Sequence, residues 1–159
     1  MSALVLRRAS RADAKLLWQW ANDPDVRRAS FSPEPIAWET HEPWLEARLA
    51  APGTRIWVLE HDGEAVGQVR YDRAGDAAEI DYSVTAPSRG RGFGAALLRR
   101  SAPLACGELG VDALVGLVRD ENRASCRTFE RAGFRVASRE VRHGAVCVRY
   151  TWRCPGGGR

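Results

Sequence analysis

The chain has 159 residues, the length of one domain, and 45% hydrophobic with 28% charged residues excludes wholesale disorder. No apolar run approaches the roughly 20 residues of a membrane span, so no membrane partner is expected. The net charge is +4, yet of the 24 basic residues only Lys15 is a lysine, and the arginines are scattered among acids rather than gathered in a patch, which argues against a nucleic-acid partner.

In chain order, Met1-Ser2-Ala3-Leu4-Val5-Leu6-Arg7 reads as a short strand. It lacks the basic start, long apolar stretch and cleavage site of a signal peptide, so the cytoplasm is the expected compartment. Ser10-Arg11-Ala12-Asp13 is a capping box that opens a helix through Leu16, Leu17 and Trp20, which Pro24 stops. A second helix starts near Thr40 and carries Trp44, Leu45 and Leu49, with Pro43 in its first turn. A meander follows: Arg55 to His61, the Asp62-Gly63 hairpin, Ala65 to Tyr71, a turn at Ala74-Gly75-Asp76, and Ala78 to Val84. Gly92 to Gly107 reads as a helix that Pro103 is expected to kink. Then come a strand from Asp112 to Val118, a helix from Asn122 to Ala132 capped by Asn122 and closed by Gly133, and a hairpin from Phe134 to Glu140 and Ala145 to Trp152 turning at His143-Gly144. The order is β-α-α-β-β-β-α-β-α-β-β over one domain, residues 1–153, with residues 154–159 a loose tail. The fold class is α/β (α+β), with a mixed, mostly antiparallel sheet. The cysteines, Cys106, Cys126, Cys147 and Cys154, form no C-x-x-C pair and no Cys/His spacing for zinc. Free thiols and no metal are expected.

The most informative segment is Ser88-Arg89-Gly90-Arg91-Gly92-Phe93-Gly94-Ala95, which leaves a strand and enters a helix. Glycines let the backbone approach a ligand, and successive amides at the positive helix end make a site for phosphate oxygens. Two ligands compete. Gly90-x-Gly92-x-x-Ala95 with Asp112 downstream fits a dinucleotide fingerprint. Its context is wrong, because the preceding strand ends a meander and too little chain follows for a doubly wound sheet. The other pattern is Arg-x-x-Gly-x-Gly, here Arg89 to Gly94. With it, the chain resembles the GCN5-related N-acetyltransferase (GNAT) superfamily. A second hallmark of that family is similar to Asn122-Arg123-Ala124-Ser125-Cys126-Arg127-Thr128-Phe129-Glu130-Arg131-Ala132-Gly133-Phe134, and its splayed strand to Ala78-Glu79-Ile80-Asp81-Tyr82-Ser83-Val84.

The resemblance implies the acyl-CoA N-acyltransferase fold and acetyl-CoA as cosubstrate. Its pyrophosphate would lie on the loop of Arg89, Gly90, Arg91, Gly92, Phe93, Gly94 and Ala95, and its pantetheine arm along Ser83 and Val84. Asn122 would contact the arm, and Phe129 would pack on the cofactor. Acetyl transfer to an amine needs a polarised thioester, a neutral amine and a proton for the departing thiolate. Glu79 and Asp81 share one strand face by two-residue alternation. Glu79 fits the base position of several relatives, with Asp81 in reserve. Many relatives carry a tyrosine seven residues after the asparagine as the acid. Here that position is Phe129, which leaves Tyr82, Ser125 or Cys126, or an unaided thiolate.

The N-terminal third is expected to wall the acceptor pocket. Trp20, Asn22, Arg27, Phe31 and His41, with Tyr82 from the splayed strand, combine aromatic faces with charge, which suits a ring and a phosphate. The run from Leu17 to Arg27, with Ser30-Phe31, Ile36 and His41, resembles the N-acetyltransferases that act on nucleotide-linked amino sugars in pseudaminic-type nonulosonic acid biosynthesis. Alternatives within the class acetylate protein N-termini, antibiotics or other small amines. A different class is an acyl-CoA-binding regulatory module. A monomer or homodimer is expected.

Overall fold

The computed structural model describes residues 3–156. Seven strands form one sheet in the order β1-β2-β3-β4-β5-β7-β6. They are β1 (Leu4–Arg8), β2 (Thr54–His61), β3 (Glu64–Ala74), β4 (Ala77–Val84), β5 (Ala113–Arg119), β6 (Arg135–Arg142) and β7 (Ala145–Arg153). Only β4 and β5 run parallel. The helices are α1 (Ala14–Ala21), α2 (Pro24–Ala29), α3 (Trp38–Ala50), α4 (Phe93–Leu109) and α5 (Arg123–Arg131). The expected hairpin turns form: Asp62 and Gly63, and His143 and Gly144, all take positive φ.

Helix α2 is the one α-helix among the described residues that the sequence order lacks. The proline that stops α1 also starts α2. Pro24 takes its first position, and the Asp23 carboxylate accepts from the Asp25 and Val26 amides at 3.0 and 3.2 Å. Upstream, the Ser10 amide donates to Asp13 at 2.8 Å. The buried Asp13 carboxylate also accepts twice from the Arg7 guanidinium, at 2.8 and 2.9 Å, which holds its pKa below the usual carboxylate range. Pro43 lies deeper in its helix than expected, because α3 begins at Trp38. Its ring is exposed, so what is lost is one backbone hydrogen bond rather than core packing. Helix α4 runs on through the exposed Pro103 to Leu109.

The two sheet faces are covered unequally. On one face α4 and α5 bury Trp57, Val69, Tyr71, Leu97, Leu98, Leu114, Phe129 and Tyr150. On the other, α1 and α3 cover only a small cluster of Leu17, Leu45 and Ile56. The thin cover leaves room for a pocket.

Two of the four cysteines are not free, contrary to expectation. Cys106 of α4 and Cys154, just past β7, form a disulfide with Cα atoms 5.6 Å apart across 48 residues of chain. No spacing signals such a pair. It arises because β7 ends beside the core face of α4, where the Cys154 amide donates to the Asp112 carbonyl at 2.9 Å. Cys154 is thus buried rather than part of a loose tail. The looseness expected of Gly157-Gly158-Arg159, and the strand expected at Met1-Ser2, lie outside the described residues. Cys126 and Cys147 are free and buried.

Candidate active site

Strands β4 and β5 pair only through Ala77, Ala78 and Glu79 against Ala113, Leu114 and Val115. Beyond Glu79 they diverge, so Ile80 to Val84 have no β5 partner. The gap opens into a cleft of about 1090 Å³ between β4, β5, the loop before α4 and the first turns of α5. Gly90 and Gly92 have φ of 77° and 84° at the loop end of this cleft. The left-handed conformation at Gly92, the N-cap of α4, turns the chain so that the 17-residue helix aims its first amides at the cleft. Ser88, Gly90, Gly92, Phe93, Gly94 and Ala95 all line it. A helix end of this kind, with Arg89, Arg119, Arg127 and Arg131 around it, suits the phosphates of a nucleotide cofactor. At Gly94 a Cβ would stand 3.0 Å from the Thr128 methyl, so the missing side chain also lets α4 meet α5.

The loop arginines act differently from expectation. The Arg89 Nε donates to the Val84 carbonyl at 3.0 Å. Its terminal nitrogens pair with Asp23 and Asp25 at 3.0 and 2.8 Å, tying the loop to the start of α2. The exposed Arg91 lies over the Phe93 ring at 4.9 Å and does not line the cleft. Asn122 lines the cleft while its side chain accepts from the Ser125 amide at 3.2 Å, so it also caps α5. Phe129 borders the cleft but is only 2% exposed. It stacks on Tyr150 at 5.4 Å, edge-on to Tyr82 and Phe134, with its tip against Gly116.

On the opposite face of the sheet lies a second pocket of about 390 Å³, lined by Arg27, Ile36, Thr40, His41, Trp44, Gln68, Arg70, Asp81 and Ser83 among others. Alternation along β4 sorts its residues. Tyr82 was expected in the acceptor pocket and Ser83 on the cofactor, and the structure exchanges them. Tyr82 lines the cleft and Ser83 the pocket, because successive strand residues point to opposite faces. Gln68 and Arg70 of β3 stand in register with Ser83 and Asp81. Gln68 donates to both, at 3.2 Å each.

Asp81 lines the pocket and the cleft alike. Glu79 is exposed, remains in the paired part of β4, and lines neither. The splay therefore starts one residue too late for Glu79.

The N-terminal candidates divide in the same way. Arg27 and His41 line the pocket. The Arg27 guanidinium is held by the backbone carbonyls of Ala21, Ser32 and Glu34, with no carboxylate of the described residues against it. His41 is 4% exposed and bonds the Ala14 carbonyl at 3.0 Å. Burial pushes its pKa below the ordinary histidine value, so it is neutral at pH 7. Trp20 packs with the small cluster under α1 and α3 instead. Asn22 clamps the chain at Ile36 through two hydrogen bonds, at 2.8 and 2.9 Å, and does not reach the pocket. Phe31 lies 5.0 Å from His143 and under the Arg119 guanidinium, outside the pocket. Gln68 and Arg70 join the pocket wall without standing out in the sequence. The available signal was polar alternation on a strand in the middle of the sheet, where one face should be apolar if it were plain core.

No helix among the described residues is long and apolar enough to cross a membrane, and none of their side chains cluster as a metal site. The family profile described as Acetyltransferase (GNAT) domain matches residues 3–135. No curated protein matches the sequence. Among solved structures, spermidine N-acetyltransferase from Vibrio cholerae in complex with CoA and spermine aligns at 18% identity over 96% of both chains, with a TM-score of 0.83. The aminoglycoside acetyltransferase AAC(6')-Ib in complex with coenzyme A and kanamycin aligns at 17% identity over 95% of both chains, with a TM-score of 0.79. The protein yncA from Salmonella typhimurium, solved with its cofactor acetyl-CoA, aligns at 22% over 99% of this chain and 97% of that one, with a TM-score of 0.82. Such identities speak to the fold. With the family profile spanning most of the sequence, and a helix end suited to phosphates beside a splayed sheet, the chain belongs to the GNAT family and is an acetyl-CoA-dependent N-acetyltransferase.

Proposed function

We propose that the acceptor is a small molecule with a primary amine and an anionic group, best matched by a nucleotide-linked amino sugar, and that acetyl passes to it directly with Asp81 as the base. The observation that carries this is the position of Asp81, the one side-chain carboxylate among the described residues that lines the pocket, and also a wall of the cleft. Thioester and amine must meet where the two cavities join. A carboxylate there takes the amine proton directly or through one water, and Gln68 holds it in place. On the donor side, the pyrophosphate lies on the first amides of α4. The arm runs along the unpaired stretch Ile80 to Val84, where a backbone amide near Val84 polarises the carbonyl.

Charge supports the acceptor class. Arg27 and Arg70 also line the pocket, against the single acid Asp81. Arg70 pairs with Asp72 at 2.7 Å and with Asp81 at 3.8 Å, whereas Arg27 has only carbonyl partners among the described residues and keeps its charge for a ligand. A polycationic amine would meet that charge with one carboxylate to offset it, whereas a phosphate would pair with it. The test is thiol release from acetyl-CoA with a panel of a UDP-linked amino sugar, glucosamine 6-phosphate, glucosamine, kanamycin, spermidine and a short peptide. The phosphorylated amines should give the highest kcat/KM, and Arg27→Ala should remove most of that advantage. Preference for spermidine or kanamycin would overturn the anionic acceptor, and preference for the peptide would make the substrate a protein N-terminus.

A further inference from the structure

Phe129 has no proton to give, and the structure fixes it in the core. The transfer still ends with a thiolate on coenzyme A, and a proton delivered to that sulfur as the C–S bond breaks speeds its departure. A proton donor that lines the cleft is placed to supply it.

The chain has three tyrosines, and the fold sorts them. The Tyr71 hydroxyl is buried against Ser101 at 2.7 Å, between β3 and α4. The Tyr150 hydroxyl donates to Glu130 at 2.7 Å, and Tyr150 does not line the cleft. Tyr82 alone borders it. Its side chain leaves β4 within the unpaired stretch, one residue after Asp81, packs edge-on against Phe129 and reaches α5. There its hydroxyl lies 2.9 Å from the Ser125 Oγ. Ser125 lines the cleft too, and the Asn122 side chain fixes its backbone at the start of α5. Other candidates are engaged or absent. The Thr128 hydroxyl donates to the Ala124 carbonyl at 2.9 Å. The buried Cys126 thiol faces the Arg119 carbonyl and does not line the cleft.

We infer that the Tyr82 hydroxyl, relayed by Ser125, protonates the departing coenzyme A thiolate. This rests on the direct transfer proposed above. The amine nitrogen attacks the thioester carbonyl, a C–N bond forms, and the carbonyl electron pair moves onto oxygen. The amine proton goes to Asp81. As the carbonyl reforms, the C–S bond breaks and its electron pair leaves with sulfur. Tyr82 gives its proton to that sulfur. The Ser125 hydroxyl returns a proton to the tyrosinate and is resupplied by water in the cleft, while Asp81 releases its proton to water. The products are the N-acetyl amine and free coenzyme A thiol. Burial holds the Tyr82 hydroxyl above the ordinary tyrosine pKa, so it is protonated at neutral pH. Tyr82 and Asp81 are adjacent in β4, so one strand presents acid and base to opposite sides of the reacting carbon.

The experiment compares wild type, Tyr82→Phe and a protein carrying a ring-fluorinated tyrosine at position 82, using acetyl-CoA and the fastest amine of the panel. Tyr82→Phe should keep acetyl-CoA affinity by calorimetry and lose about 10²–10⁴-fold in kcat. Fluorination lowers the phenol pKa with almost no change in shape. It should bring the alkaline fall of kcat down into the accessible pH range. A structural role would not move that limb. Full activity in Tyr82→Phe, or an alkaline limb that ignores fluorination, would overturn the inference. Wild-type protein that binds acetyl-CoA but releases no thiol with any amine would instead overturn the transfer itself.

Discussion

Replacing Phe129 by tyrosine restores the residue type that many relatives carry at this position, and should nevertheless damage the protein. A Cβ added at Gly116 would stand 2.4 Å from the Phe129 Cζ and 2.5 Å from its Cε1, so the ring tip already rests on the β5 backbone. The ring cannot retreat, because Tyr150 stacks on it with planes 6° apart and Tyr82 and Phe134 meet it edge-on. A hydroxyl on Cζ would be overpacked, at about 1–3 kcal/mol. It would also be buried without a partner, at about 1–3 kcal/mol more. The expected cost is therefore about 2–6 kcal/mol, a fall in melting temperature of roughly 4–24 °C at about 2–4 °C per kcal/mol. Thermal unfolding followed by circular dichroism measures it. Gly116→Ala, which inserts a methyl group into the same contact from the other side, should show a loss of similar size. A Phe129→Tyr protein that melts with wild type and gains kcat would refute the reasoning, since its hydroxyl would then have reached the cleft.

Three further outcomes are expected. Cys154→Ser, or reduction, opens a link across 48 residues and should cost up to about 4 kcal/mol, read as a lower denaturant midpoint in the variant than in the oxidised protein. Gly92→Glu forces a side chain into a left-handed residue and sets an anion at the phosphate site, so calorimetry should show acetyl-CoA affinity lost at least tenfold, and unchanged affinity would remove the pyrophosphate from this loop. The melting temperature should be flat from about pH 8 to 6.5 and fall below that. His41 is neutral when folded, with its pKa depressed from 6.5, so acid favours the unfolded chain; Asp13, also depressed, adds a second loss below about pH 4. His41→Gln should remove the first decline and keep the second.

What the sequence disclosed, and what it hid, follow from the range of the interactions concerned. The glycine loop was legible because positive φ at Gly90 and Gly92 and the helix end after them are local properties. The hairpins at Asp62-Gly63 and His143-Gly144 were legible for the same reason. Helix α2 was hidden because Pro24 carries two meanings, the end of one helix and the first residue of the next. The disulfide was hidden because only the folded sheet brings Cys154 to α4. Glu79 and Asp81 could not be separated by alternation, which places both on one face. The register of β4 against β5 separates them, and register is a long-range fact. Tyr82 and Ser83 exchanged places for a similar reason: which parity of β4 faces α5 depends on the packing of the whole sheet. Trp20, Asn22 and Phe31 had the chemistry of a binding site and are used instead to hold the walls in position.

In the proposed reaction Asp81, where cleft and pocket meet, takes the proton of the amine. The steady-state kcat of Asp81→Asn with acetyl-CoA and the best amine of the panel, set beside Glu79→Gln, tests it most directly. Asp81→Asn should lose about 10²–10⁴-fold in kcat near neutral pH with acetyl-CoA affinity intact, and Glu79→Gln should stay within a few-fold of wild type. An Asp81→Asn enzyme with kcat close to wild type, or a Glu79→Gln enzyme with the larger loss, would contradict it.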